Sequence, residues 1–131
     1  MGTKIFNRDI ELAGASKITK NGVTIVDEDG NIIAASTETI AAGGTTTALS
    51  LTTQVHYIDA DAGGDIFTLA DGVSGQIMFI AMASATGVAT ITPTNFRGGT
   101  SVTLNAAGDS VILQFIATKW NIIGGNSYAV V

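Results

Sequence analysis

The stretch "GDSVILQFIATKWNIIGGNS", Gly108 to Ser127, governs how this chain is read. Val111, Ile112, Leu113, Phe115 and Ile116 put apolar side chains at both parities of one extended segment. Side chains alternate between the two faces of a strand, so both faces of this one are apolar. In a small two-layer domain, one face of a strand ordinarily meets water. A second segment, Ile77 to Met82, has the same character. Something must cover the extra face of each.

Composition narrows what that cover is. The chain has 131 residues, enough for one domain with a sizeable core. Hydrophobic residues make up 46% and charged residues 13%, against a usual charged share of about 25%. Mean hydropathy is positive, at +0.40. Soluble surfaces are usually about a quarter to a third charged. Either Thr, Ser, Asn and Gly solvate this surface, or partners cover part of it. Both are expected.

The net charge is -5, with six Lys plus Arg scattered along the chain. A nucleic-acid binder needs a basic stripe, so nucleic acid is not an expected partner. With no Cys, disulfides and thiolate metal sites are excluded. The opening "MGTKIFNRDIELAG" lacks an apolar core of signal-peptide length. The longest apolar run, Ile77 to Ala83, falls far short of the roughly 20 residues that span a bilayer as a helix. The expectation is a soluble protein made in the cytoplasm, with no membrane partner.

Outward from the opening stretch, turn pairs recur at strand-like spacing: Gly63-Gly64, Asp71-Gly72, Thr86-Gly87, Gly98-Gly99, Ala107-Gly108 and Gly124-Gly125. Between them, "VHYIDA", "DIFTLA", "GQIMFIAMAS", "VATITPT", "TSVTLNA", "DSVILQFIAT" and "KWNIIGG" read as seven strands. In one of these, Val102 and Leu104 face inward. Pro93, the single proline, belongs at a strand end. The predicted body, residues 45–131, is an all-β, antiparallel, jelly-roll-like β-sandwich. Residues 1–44 read as an N-terminal β arm and hairpin region. Val23 and Ile25 alternate there, Asp29-Gly30 is a turn pair, and the first 40 residues hold ten of the seventeen charges.

Nothing in the chain reads as a chemical active site, and no cofactor is implied. Asp27, Asp29, Asn31 and Glu38 match positions 1, 3, 5 and 12 of a calcium-loop spacing, but Ile32 stands where its sharp-bend glycine belongs. A plain turn with solvated carboxylates is the better reading, so no metal site is expected. The single histidine, His56, lies near Asp59, but a strand points the two to opposite faces. No serine sits in a nucleophile elbow, and no glycine-rich loop has the lysine of a phosphate cradle. The expectation is a non-enzyme. Trp120 and Tyr128 would be the contacts if a glycan were bound; a lone Trp is more often a core anchor.

The segments "FTLADGVSGQIMFIAM" and "GVATITPTNFRGGTSVTLNAAGDSVILQFIATKWNIIGGN", together Phe67 to Asn126, resemble a pattern in tailed-bacteriophage virion proteins. An "LxDGxxGQ" turn enters a hydrophobic strand; "TITP", "GxxVTL", "GDSVxLxF" and "WxIIGGN" follow. Modules of this kind are usually trimeric and occur in capsid decoration (cement) proteins, head fibres and tail fibres. The resemblance implies virion assembly and carries over no catalytic residue. The short chain, without repeat or shaft, favours a decoration protein on the capsid exterior.

The resulting expectation is a homotrimer that clamps the major capsid protein across capsomer joints. The trimer interface would use Ile77, Phe79, Val111, Leu113 and Phe115. Shell contact would use the arm, with Ile5, Phe6, Ile10 and Leu12 as apolar anchors and Lys4, Arg8, Lys17 and Lys20 as polar contacts. The alternatives are a trimeric head- or tail-fibre tip that binds a host receptor or glycan, and a monomeric carbohydrate-binding module.

Overall fold

A computed structural model describes residues 18–20, 23–26, 37–43 and 46–131. Contacts divide the chain into two compact units, Met1–Ala35 and Ser36–Val131. In the first, β1 (Ile18–Lys20) and β2 (Val23–Val26) pair antiparallel, with Lys20 opposite Val23. The turn expected at Asp29-Gly30 lies outside the described residues.

The second unit runs β3 (Thr37–Ile40), β4 (Thr46–Ala48), β5 (Val55–Ala60), β6 (Asp65–Leu69), β7 (Ile77–Ala85), β8 (Ala89–Pro93), β9 (Val102–Leu104), β10 (Ser110–Ile116), β11 (Lys119–Asn126) and β12 (Ala129–Val130). All seven segments read as strands from the turn spacing are strands, β5 to β11. Pro93 closes β8, as a residue without an N–H should. Two short strands flanking the Gly43-Gly44 stretch, β3 and β4, join them. β3 pairs with β5, so Thr37–Ile40, counted with the arm in the sequence reading, belongs to this unit.

The strands form two five-stranded sheets, ordered β11-β10-β7-β5-β3 and β12-β9-β8-β6-β4. This is the expected all-β sandwich, but its pairing is mixed rather than wholly antiparallel. β3, β5 and β7 run parallel in the first sheet, and β4, β6 and β8 run parallel in the second. The chain alternates between sheets, so β3–β4, β5–β6 and β7–β8 are successive rungs of a flattened coil. Each crossover between parallel neighbours is thereby supplied by a strand of the opposite sheet. Antiparallel pairing appears only on the far side, through β10–β11, β7–β10, β8–β9 and β9–β12.

Turns of successive rungs stack on one another. Asp61 Oδ1 accepts the Gly63 N–H at 2.9 Å, and Asp65 Oδ2 accepts the Asp61 N–H at 2.9 Å. Gly64 closes this turn at φ 77°, a conformation glycine adopts without penalty. Beneath it lies Gly87, where a Cβ would fall 1.6 Å from the Asp61 carbonyl oxygen. Asp109 organises the turn before β10 in the same way, accepting the Asn105 and Ala106 N–H groups at 2.9 Å each.

One core lies between the sheets. Ile58, Met78, Ile80 and Leu113 enter from the first sheet; Phe67, Leu69, Ile91, Val102 and Leu104 enter from the second. Each such side chain stabilises the fold by roughly 1.5–3 kcal/mol when fully buried.

Candidate interaction surface

The two strands that are apolar on both faces, β7 and β10, lie side by side in the middle of the first sheet. Their register settles which parity faces in. Met78 pairs with Leu113 and Ile80 with Val111, and all four are buried. Phe79 pairs with Ile112 and Ile77 with Gln114 on the outward side. Of the five residues assigned to a trimer interface, Ile77 and Phe79 therefore face outward. Val111, Leu113 and Phe115 do not; they are buried in the chain's own core, so that part of the assignment is corrected. The reason is antiparallel register, which sets odd positions of β7 opposite even positions of β10. Leu113→Ala is expected to cost about 2–5 kcal/mol of unfolding free energy, read by urea denaturation.

The outward face continues across the sheet. Thr37, Val55, Phe79, Ile112 and Gly124 are successive neighbours in one row. Tyr57 and Ala81 are neighbours in the next. Tyr57 is 49% exposed and Phe79 38%. Gly124 adds no side chain beside Ile112, whose Cδ1 would lie 3.5 Å from a Cβ there. The β-bulge between Ile112 and Leu113 leaves Ile123 half exposed at the edge. Val55 and Tyr57 are not singled out by the sequence, and Ile112 marks a two-faced strand there without being assigned to the interface. The signal was their strand parity once Trp120 is known to be inside: Phe115 pairs with Trp120, so Leu113 and Val111 share the inner face.

Trp120 is fully buried, which removes it as a glycan platform. Its indole N–H donates to the Ala70 carbonyl at 2.9 Å, and its ring meets Phe115 edge to face with centroids 5.2 Å apart. The "LADGVSGQ" loop is built around it. A Cβ on Gly72 would fall 2.9 Å from the Trp120 ring, so only glycine lets the loop lie flat there. Gln76 Oε1 accepts the Val73 N–H at 3.1 Å, and its Nε2 donates to the Leu51 carbonyl at 2.7 Å. Asn95 Nδ2 donates to Asp71 at 2.6 Å. The motif that carries the resemblance is thus a packing lock between the β6–β7 loop and β11. Tyr128 is partly exposed, at 37%.

His56 is fully buried on β5, facing inward, while Asp59 faces outward and accepts the Ser84 N–H and hydroxyl at 2.9 and 2.8 Å. The two point apart, as strand parity requires. His56 Nδ1 lies 2.6 Å from Glu38 Oε1, its neighbour across the parallel β3–β5 pair. The pair ties edge strand β3 to β5 from the core side. Glu38, the last position of the calcium-loop spacing, is thereby engaged; Asp27, Asp29 and Asn31 lie outside the described residues. Among the described residues no group of three or more His, Cys, Asp or Glu side chains is placed to hold a metal ion. Lys4, Ile5, Phe6, Arg8, Ile10, Leu12 and Lys17 also lie outside them.

No protein-family model matches the chain, and no curated protein matches it.

Proposed function

We propose that this chain is a structural protein of a phage virion, a homotrimeric decoration protein that grips the outside of the capsid across capsomer joints. The observation that carries the reading is the outward-facing apolar row Val55–Phe79–Ile112 on a chain with few charges. Large apolar faces on soluble domains mark surfaces built for association. The Phe67–Asn126 resemblance supplies the setting, and the fully buried Trp120 weighs against a glycan-binding fibre tip.

The mechanism is mechanical. A filled capsid fails where neighbouring capsomers separate. A ligand bound across those joints raises the free energy of separation, and several arms on one assembly raise its avidity above that of one arm. The basic and apolar residues of the N-terminal unit, Lys4, Ile5, Phe6, Arg8, Ile10 and Leu12, are assigned to the shell. The partner is the major capsid protein, and strand addition to its sheet edge is the mode of contact.

Sedimentation with undecorated shells tests this. The full chain is expected to pellet with shells, and a chain lacking residues 1–17 is expected to stay in the supernatant. A full chain that never pellets with shells sinks the role. Equal binding by the shortened chain sinks the arm assignment.

A further inference from the structure

We infer that the outward face of the first sheet is the surface through which copies of this chain bind one another, with Phe79 at its centre. This deepens the structural reading above and rests on it only for the number of copies. The sheet register assembles the face from sequence-distant strands: Val55, Phe79 and Ile112 abreast, Tyr57 beside Ala81, and Ile77 beside Gln114.

Charge selects the occupant. The chain carries a net charge of -5, so two copies repel unless they meet where charge is absent. The three central strands, β5, β7 and β10, present one carboxylate outward, Asp59, at the end of β5 and already bonded to Ser84. Lys119 stands at the opposite end, on edge strand β11. The middle of the face carries no ionised side chain among the described residues. A basic or acidic partner would bury its own charges here without counter-charges, at a desolvation cost. A second copy brings the same uncharged, aromatic-centred face, so the surface is complementary to itself.

Area points the same way. Five strands at about 4.8 Å spacing and six residues at about 3.3 Å per residue cover roughly 450 Å². Covering the face in each of two copies removes roughly 900 Å² from water, close to the ~1,000 Å² that marks the lower end of specific interfaces. A face-to-face pair stays marginal, whereas three copies whose faces converge on a three-fold axis, each meeting two others, remove roughly 1,350 Å² from water. The aromatic centre, Tyr57 and Phe79, is the composition that dominates association energy.

The test uses the full chain and sedimentation equilibrium. Wild type is expected at three times the 13.3 kDa chain mass. Phe79→Asp and Ile112→Lys are each expected to drop the mass threefold, with far-ultraviolet circular dichroism confirming that both stay folded. Ile66→Asp, on the outward side of the second sheet, is expected to leave the mass unchanged. Monomeric wild type, or folded variants that stay assembled, overturns the assignment. Shell sedimentation separates the two claims. Monomeric wild type that pellets with shells keeps the virion role and removes the interface. Face-dependent assembly that never pellets with shells keeps the interface and removes the role.

Discussion

Trp120→Ala is expected to lower the unfolding free energy by about 3–5 kcal/mol, the largest loss for any single side chain in the second unit. Trp120 heads the fully buried side chains by volume, so truncation leaves the largest cavity. The Ala70 carbonyl loses its indole donor, and Phe115 loses its edge-to-face partner. The loop closed by Gly72 and Gln76 rests on the same ring, so it loses its platform. Trp120→Phe keeps most of the volume but not the N–H, and is expected to recover part of the loss. Urea denaturation at one fixed protein concentration reads both, since assembly adds to apparent stability. A Trp120→Ala loss below about 1 kcal/mol would mean that the indole is not an anchor.

Gly87→Ala is expected to cost about 3 kcal/mol, the upper end for overpacking a well-packed site. The added methyl would meet the Asp61 carbonyl oxygen at 1.6 Å and the Gly64 nitrogen at 3.1 Å. Both are backbone atoms held in a closed turn, where Gly64 N–H donates to the Asp61 carbonyl at 2.9 Å. Neither can swing aside as a side-chain end would, so the β5–β6 turn must lift from the rung below. Gly63→Ala is the control: its methyl meets only the Asp61 Oδ1 side-chain atom at 3.3 Å, and the expected cost is within about 0.5 kcal/mol. Thermal unfolding of the pair distinguishes a stacked coil of rungs from turns that do not touch.

Much of the fold is legible in the sequence. The body strands could be found because glycine and aspartate turn pairs punctuate them, and because "TSVTLN" alternates in the ordinary way. Three features were not legible, each for a physical reason. Parallel pairing leaves no local signature, since the partner of β5 is reached only after a full rung; the same turn spacing serves hairpin and coil alike. β3 and β4 are short and rich in threonine beside Gly43 and Gly44, so neither stands out as a strand. The parity of β10 was ambiguous because Ile112 and Leu113 are equally apolar. Only tertiary register, through Phe115 on Trp120, decides that Leu113 goes in. The interaction face was accordingly half found: Ile77 and Phe79 were named, while Val55, Tyr57 and Ile112 needed the neighbouring strands to be known.

The mass of the unaltered 131-residue chain in solution tests assembly most directly. Sedimentation equilibrium across a wide concentration range is expected to return a single species at three times 13.3 kDa. A species that stays at 13.3 kDa at every concentration would mean that water, not a sister chain, covers Phe79 and its row, and would contradict the account.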